Sequence, residues 1–188
     1  RQVLLHDMDL YKFGVILSLY TGIRVGELCA LQWEDISLSN SILKVRKTMQ
    51  RIQDTNVGAT AKTKIIITEP KSQCSIRDIP LPAFIVDIAK QFADAPKAFI
   101  LSGEKKKYIE PRTMQNRFKA LVVESKIDDA NFHCLRHTFA TRCVEVGFEI
   151  KSLSEILGHA NVNITLNRYV HSSFDLKYSN MNKLSLPA

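Results

Sequence analysis

The stretch His133-Cys-Leu-Arg-His-Thr-Phe-Ala-Thr141 is the most specific segment of this 188-residue chain, and it indicates a helix. We predict that this helix covers residues 135–146 and ends at Gly147, since glycine commonly follows a helix. His133 and Arg136 then share one face near the positive end of the helix dipole. An imidazole and a guanidinium aimed at one phosphate can together move a proton and neutralise charge. An H-x-x-R pair also occurs often by chance, so other segments must support this interpretation.

A second segment, Thr21-Gly-Ile-Arg-Val-Gly-Glu-Leu28, lies between two helical runs. Thr21 and Gly22 interrupt the first run, so Arg24 is predicted at the start of a short new helix, where backbone N–H groups also favour an anion. Glu27 has three interpretations. It can orient the guanidinium of Arg24, it can pair with another basic residue, or it can form with Arg24 a buried ion pair that is purely structural.

Two more candidates lie towards the end of the chain. In Leu157-Gly-His159 the glycine stops a helix, so the imidazole of His159 projects from a turn, where it can act on a ligand, cap a helix or pack. Tyr169 follows ten residues later on a polar stretch. A tyrosine at a helix end usually packs its ring and leaves its hydroxyl in water, but a tyrosine hydroxyl can also attack a phosphate and form a covalent intermediate.

Lys71 belongs to the segment Glu69-Pro-Lys-Ser-Gln-Cys-Ser75, which is predicted to join two strands as a hairpin. A lysine can move a proton or donate hydrogen bonds to a charged transition state. Lys62 and Lys64 are nearby rivals for such a role. A solvated hairpin lysine without a chemical role is the structural alternative.

Composition limits the class of protein. The chain carries 26 basic and 19 acidic residues, a net charge of +7, and this surplus favours a polyanionic partner such as nucleic acid or a membrane surface. A merely basic cytosolic protein would show the same charge. No apolar run approaches the roughly 20 residues that span a bilayer, and residues 1–10 are too polar for a signal peptide. The four cysteines show no metal-binding spacing and are expected to be free thiols: Cys29, Cys74, Cys134 and Cys143.

Periodicity predicts an α+β fold, a mostly helical domain with a small three-stranded antiparallel sheet packed at one side. The strands are predicted at 42–52, 64–69 and 75–79, with Lys71 between the second and third, because links this short favour antiparallel pairing. The predicted helices are a pair within 9–32, followed by 82–95, 112–125, 135–146, 152–157 and 162–169.

Taken together, the segments around Arg24, His133, His159 and Tyr169 resemble the tyrosine recombinases, the phage-type integrases. The resemblance extends over residues 10–171. It implies that Tyr169 is the nucleophile and forms a 3′-phosphotyrosyl link. The residues that it implies as catalytic are Arg24, Lys71, His133, Arg136, His159 and Tyr169.

The resemblance also implies a role for each of the other five. Arg24 and Arg136 stabilise the transition state, Lys71 protonates the leaving 5′ oxygen, and His159 donates a hydrogen bond. His133 helps to deprotonate the tyrosine or buffers its proton. His137, the residue after Arg136, is interpreted as a packing residue or one that supports the catalytic groups.

The function that follows is a site-specific DNA recombinase that needs no cofactor and no metal. Its expected partners are double-stranded DNA, further copies of itself in a tetramer on DNA, and accessory DNA-bending or excision factors, with no membrane. Its expected location is the bacterial cytoplasm, at the nucleoid. Two alternatives stay open: a strand transferase like the type IB topoisomerases, and a non-catalytic DNA-binding module derived from the family.

The predicted domain organisation is a catalytic domain over residues 1–172 and a tail over 173–188. The tail is more apolar than a solvated tail requires, so it is expected to dock on a neighbouring protomer or to pack on its own domain. Nothing in the chain corresponds to the N-terminal DNA-binding domains of the family. Together with the missing initial methionine, this indicates a fragment.

Overall fold

The computed structural model describes residues 4, 6–55, 62–70, 72–169, 178 and 181–182. It is mostly helical with small antiparallel sheets, so the predicted α+β class is confirmed. The helices of six or more residues in these ranges are α1 (Leu10–Thr21), α2 (Val25–Ala30), α3 (Ala83–Phe92), α4 (Pro111–Glu124), α5 (His133–Glu145), α6 (Ile150–Leu157) and α7 (Val162–Tyr169). The strands are β1 (Ile36–Ser37), β2 (Ile42–Val45), β3 (Thr48–Gln53), β4 (Thr63–Thr68) and β5 (Arg77–Pro80), and short 3₁₀ turns cover Trp33–Asp35 and Gln73–Ser75.

Helix α1 ends where the sequence predicts. Its first turn is capped by Asp9, whose carboxylate accepts a hydrogen bond from the backbone N–H of Lys12 at 2.7 Å. Gly22 ends the helix in the left-handed conformation, with φ of 66°, and donates its N–H to the carbonyl of Ser18 at 2.9 Å. The chain therefore changes direction directly before Arg24.

The sheet differs from the prediction in its composition. A three-stranded antiparallel sheet is present, but its order is β1-β2-β5, and β3 and β4 form a separate two-stranded sheet. The predicted strand 42–52 is divided between the two sheets. The predicted strands 64–69 and 75–79 are therefore not partners, and the expected hairpin between them is wrong.

The physical reason for this division is that β2 and β3 pack against different neighbours. In β2, Leu43 is fully buried and pairs with Ile79 of β5. In β3, the backbone lies so close to α2 that a Cβ added to Gly26 would be 2.6 Å from the carbonyl oxygen of Met49. One straight strand cannot satisfy both surfaces, so the chain turns between Val45 and Thr48.

Two predictions fall outside the described residues. Lys71 is one of them, so its place in the link between β4 and β5 remains a prediction. The other is the tail, of which only Tyr178, Met181 and Asn182 are described.

Among the described residues, the core has one large cluster and one small cluster. The large cluster includes the fully buried Phe13 and Leu17 of α1. The small cluster joins α5, α6 and α7 and contains Ala140, Cys143, Leu153, Leu157 and Tyr169. No helix in the described ranges is both long and apolar enough to cross a membrane.

Candidate active site

The carboxyl end of α6 is the point at which three arginines from distant elements meet. Three consecutive backbone carbonyls there each accept a hydrogen bond from a guanidinium. The pairs are Arg77 Nε to Ile156 O at 2.6 Å, Arg136 Nη2 to Leu157 O at 2.7 Å and Arg24 Nη2 to Gly158 O at 3.4 Å. The last carbonyls of a helix have no partner within the helix and carry the negative end of its dipole. This helix end therefore gathers positive side chains around the turn that carries His159.

Arg24 lies at the start of α2, as predicted, and its guanidinium is held by Glu27. Nη1 donates to Oε1 of Glu27 at 2.8 Å, and the backbone N–H of Arg24 donates to Oε2 at 2.9 Å. The Arg24 side chain keeps 40% of its surface exposed, whereas Glu27 is almost fully buried. The guanidinium is thus fixed in orientation and still open to a ligand.

Glu27 also binds a second arginine. Nη1 and Nη2 of Arg77 donate to its two carboxylate oxygens at 3.1 and 2.9 Å, and the Arg77 side chain is only 6% exposed. Burial by itself raises the pKa of Glu27, but hydrogen bonds and charge from Arg77 and Arg24 outweigh it, so the pKa lies below its ordinary value. Glu27 therefore orients Arg24 and also pairs with a second basic residue, Arg77, and these are two of the interpretations drawn from the sequence.

Sequence reasoning did not assign Arg77 to the site. The signal was present in the alternation of β5, because Arg77 and Ile79 lie on the same face of the strand and Ile79 is a core residue. An arginine on an inward face needs a buried partner. The identity of that partner, Glu27, 50 positions away, could not be read from the strand.

We expect Glu27→Gln to lower the free energy of unfolding by about 3–5 kcal/mol, because it leaves two arginine charges without a carboxylate. The stabilisation from the lowered Glu27 pKa is present above its unfolded-state value of 4.5 and is lost as the pH falls through the lower folded value. The free energy of unfolding of the wild type, measured by urea denaturation, should therefore fall as the pH is lowered through this range. Glu27→Gln should lack the part of this fall that comes from Glu27. The control is Glu104→Gln, which removes an exposed ion pair with Lys107 and should leave stability unchanged within error. Equal stability of the wild type and Glu27→Gln would contradict this account.

Arg136 is the most buried arginine of the site, with 3% of its surface exposed. Its Nη1 donates to the carbonyl of Gly22 at 2.8 Å, and Nη2 donates to Leu157. Burial, together with the charge of Arg24, lowers its pKa to about 10, so the guanidinium is charged at neutral pH. Gly22 is required here, because its φ is positive and an added Cβ would lie 2.6 Å from Cδ1 of Phe139.

His159 follows directly after these carbonyls, and its Nδ1 lies 2.8 Å from Oγ1 of Thr165. Burial, followed by the charges of Arg136 and Arg24, lowers its pKa to about 4, so the ring is neutral at neutral pH. When Nδ1 accepts from the threonine hydroxyl, the proton lies on Nε2. Nε2 can then donate to a phosphate oxygen, the role predicted for His159.

Tyr169 packs its ring in the small cluster and directs its hydroxyl to His137, whose Nδ1 lies 3.0 Å from the hydroxyl oxygen. His133, the first residue of α5, packs edge to face with His137, with ring centres 4.6 Å apart. Burial and the nearby charges of His137 and Arg136 lower the pKa of His133. Of the two interpretations of His137, packing and support of the catalytic groups, the contact of its ring nitrogen with the predicted nucleophile favours the second. His133 and His137 are four residues apart, so they lie on one face of the helix. This spacing could have indicated from the sequence that His137 lies near the active site.

The fold thus brings together five of the six predicted residues around the carboxyl end of α6: Arg24, His133, Arg136, His159 and Tyr169. Arg168, which the sequence analysis did not assign, adds a fourth arginine to this region, and its charge acts on His133 and His159. Within the described residues, no group of three or more His, Cys, Asp or Glu side chains could hold a metal ion. Guanidinium groups surrounding neutral imidazoles and a phenol can bind an anion and move protons on it.

Comparisons with known proteins agree with this geometry. The profile of the phage integrase family matches residues 6–175. The chain is 29% identical over 172 residues to a XerC-like tyrosine recombinase of Caldanaerobacter subterraneus, covering 83% of this chain and 44% of that protein. It is also 29% identical over 190 residues to the transposase from transposon Tn916 of Enterococcus faecalis, covering 91% of this chain and 44% of that protein. The chain thus spans less than half the length of these two relatives.

Solved structures show the same fold. The Tn1549 transposon integrase, in complex with a circular intermediate DNA, aligns with a TM-score of 0.74 and 26% identity, covering 96% of this chain and 60% of that chain. The XerA recombinase aligns with a TM-score of 0.65 and 23% identity, covering 93% of this chain and 58% of that chain.

Proposed function

This chain belongs to the phage integrase family of tyrosine recombinases, and we propose that it is the catalytic domain of a site-specific DNA recombinase. The observation that carries this proposal is the meeting of Arg24 and Arg136 at the carboxyl end of α6, beside the element that bears Tyr169. The reaction is the cleavage and rejoining of DNA strands through a 3′-phosphotyrosyl intermediate. Its biological setting is the integration or excision of a mobile element, as the similarity to the Tn916 transposase supports.

The geometry supports a division of labour among the side chains. Arg24 and Arg136 bind the scissile phosphate and stabilise the charge that develops on its oxygens, a role that metal ions take in many phosphoryl-transfer enzymes. Nε2 of His159 donates a further hydrogen bond. Tyr169 attacks the phosphorus. The resemblance to the family, and not the geometry, supports Lys71 as the group that protonates the 5′ oxygen that leaves.

Conservation of the phosphodiester energy follows from this chemistry. The phosphotyrosyl bond replaces the broken bond, so a 5′ hydroxyl can later attack it and restore the DNA without an external energy source. His133 lies against His137 at the tyrosine and can buffer the proton that is exchanged in each direction.

Double-stranded DNA is the proposed substrate. The net charge of +7 supports it, and so does the DNA complex of the similar Tn1549 integrase. We further propose a tetramer on DNA, because exchange between two duplexes needs four cleavages and each protomer supplies one nucleophile. Accessory DNA-bending or excision factors are proposed from the resemblance to the family. A recombinase with these partners acts where bacterial DNA lies, in the cytoplasm at the nucleoid.

Capture of the covalent intermediate tests this function. The full-length protein is incubated with fragmented genomic DNA and denatured, and the DNA that remains attached is sequenced to identify the recombination site. Mass spectrometry then identifies the modified residue. A 3′ phosphate on Tyr169 together with strand exchange between two copies of the site supports the proposal. If the protein forms the adduct and relaxes supercoiled DNA but exchanges no strands, it is a topoisomerase-like enzyme. If it forms no adduct, it is a DNA-binding module.

We propose residues 1–172 as the catalytic domain and 173–188 as a tail that docks on a neighbouring protomer. The two large apolar side chains of the tail that are described, Tyr178 and Met181, are 64% and 65% exposed, which supports docking elsewhere. We expect a protein truncated before residue 174 to bind a single site normally and to assemble poorly on paired sites, as measured by gel mobility. Normal assembly would contradict docking between protomers.

A further inference from the structure

The hydrogen bond between the hydroxyl of Tyr169 and Nδ1 of His137 carries an inference beyond the predicted set of catalytic residues. The two atoms are 3.0 Å apart, a normal hydrogen-bond length, and they join α7 to α5 across 32 positions. The ring of Tyr169 is fixed behind this contact by Ala140, Cys143 and Leu157 in the small cluster. The nucleophile is therefore held in place from both sides in the DNA-free protein.

We propose that His137 positions the nucleophile Tyr169 and is the group that accepts its proton when the tyrosine attacks DNA. This inference rests on the proposed function. It assigns to His137 the proton transfer that the sequence had assigned to His133. In the described part of the chain, the hydroxyl's hydrogen bond is to His137, whereas His133 contacts the ring of His137.

The surroundings of His137 suit a base. The charged and titratable groups that face it are His133 and Arg136 from α5 and Arg168 and Tyr169 from α7. Burial, followed by the charges of Arg168 and Arg136, places the pKa of His137 below its ordinary value of 6.5. The imidazole is therefore neutral at neutral pH and has a free electron pair for the phenol proton.

The step balances as follows. The O–H bond of Tyr169 breaks, and the proton moves to Nδ1 of neutral His137, which becomes an imidazolium. The phenol oxygen forms a bond to the scissile phosphorus, and the bond from phosphorus to the 5′ oxygen breaks. The leaving oxygen takes a proton from the general acid, proposed to be Lys71. Rejoining reverses each transfer and returns the proton from His137 to Tyr169.

The resting contact is tested without DNA, by NMR of the histidine ring nitrogens in ¹⁵N-labelled protein. We expect the His137 proton on Nε2 and an acceptor shift at Nδ1 that changes in Tyr169→Phe. A proton on Nδ1, or an Nδ1 shift that is the same in both proteins, would overturn the proposal.

The proton transfer is tested by single-turnover cleavage of the captured recombination site. His137→Asn keeps an oxygen close to the position of Nδ1, so it can accept the hydrogen bond but cannot take the proton. We expect cleavage to slow by about 10²–10⁴-fold with unchanged DNA affinity. We also expect the fall in rate at low pH that comes from His137 to disappear. The control His6→Asn changes an exposed histidine near the N-terminus and should cleave like the wild type.

A substrate with a bridging 5′ phosphorothiolate separates the base from the acid, because its leaving thiolate needs no proton. We expect this substrate to restore cleavage by Lys71→Ala and not by His137→Asn. Restoration of His137→Asn, or a His137→Asn rate within about threefold of the wild type on ordinary DNA, would overturn the proposal while leaving the proposed function intact. Failure of the wild type to form any adduct at Tyr169 would overturn both.

Discussion

Tyr169→Phe is expected to abolish covalent DNA capture, with adduct formation falling by at least about 10⁴-fold, as removal of a nucleophile does in other enzymes. The variant should still fold. Phenylalanine keeps the ring that packs on Leu153 and Leu157, and the loss is one hydroxyl with its hydrogen bond to His137, worth about 1 kcal/mol. DNA affinity, measured by fluorescence anisotropy on the captured site, should change little, because the cationic groups proposed to bind phosphate remain.

The matched control is Tyr108→Phe. Tyr108 is partly exposed and packs its ring edge to face on Phe99, which phenylalanine at this position retains. This variant should form the adduct at the wild-type rate. An adduct that persists in Tyr169→Phe, or that is lost in Tyr108→Phe, would show that the nucleophile is assigned to the wrong residue.

Arg136→Lys is expected to reduce the rate of cleavage by about 10³-fold or more, although the positive charge is retained. The guanidinium uses Nη1 on Gly22 and Nη2 on Leu157, and each of these nitrogens carries a second N–H that can reach a phosphate oxygen. An ammonium is a point charge on a flexible stem, so it cannot hold two carbonyls and a phosphate in this fixed geometry. Single-turnover kinetics at saturating DNA isolates this effect on the chemical step.

Arg142→Lys is the control, because Arg142 lies on the same helix, is exposed and pairs with Glu145. It should cleave like the wild type. Arg136→Lys also removes hydrogen bonds from buried carbonyls, so its unfolding temperature is measured, and kinetics are compared well below it. An Arg136→Lys protein that is folded and cleaves within about threefold of the wild type would contradict the role of the guanidinium.

Local pattern was sufficient for much of the fold. The helices could be predicted because apolar residues recur at helical spacing and glycines stop them, as Gly22 and Gly158 do in the left-handed conformation. The strands were harder, because a period of two shows which residues form a strand without showing the partner. The predicted strand 42–52 therefore contains a turn that its pattern does not show. The turn is needed because β2 pairs with β5 while β3 packs on α2.

For the six predicted residues, the sequence shows their types, and the tertiary structure shows which of them meet. Their types and their local segments are properties of the sequence, and these were enough to indicate the family and the class of reaction. The meeting of Arg24 with Gly158 joins residues 134 positions apart, and that of Arg77 with Glu27 joins residues 50 positions apart. No periodicity extends over such separations.

The sequence by itself thus determined the family and the helical segments, and it predicted which groups are reactive. The tertiary structure alone decided that Glu27 joins two arginines, that three guanidinium groups share the carboxyl end of α6, and that His137 holds the hydroxyl of Tyr169. The physical reason is that secondary structure and reactivity depend on neighbouring residues, whereas hydrogen bonds between distant side chains depend on how the helices pack.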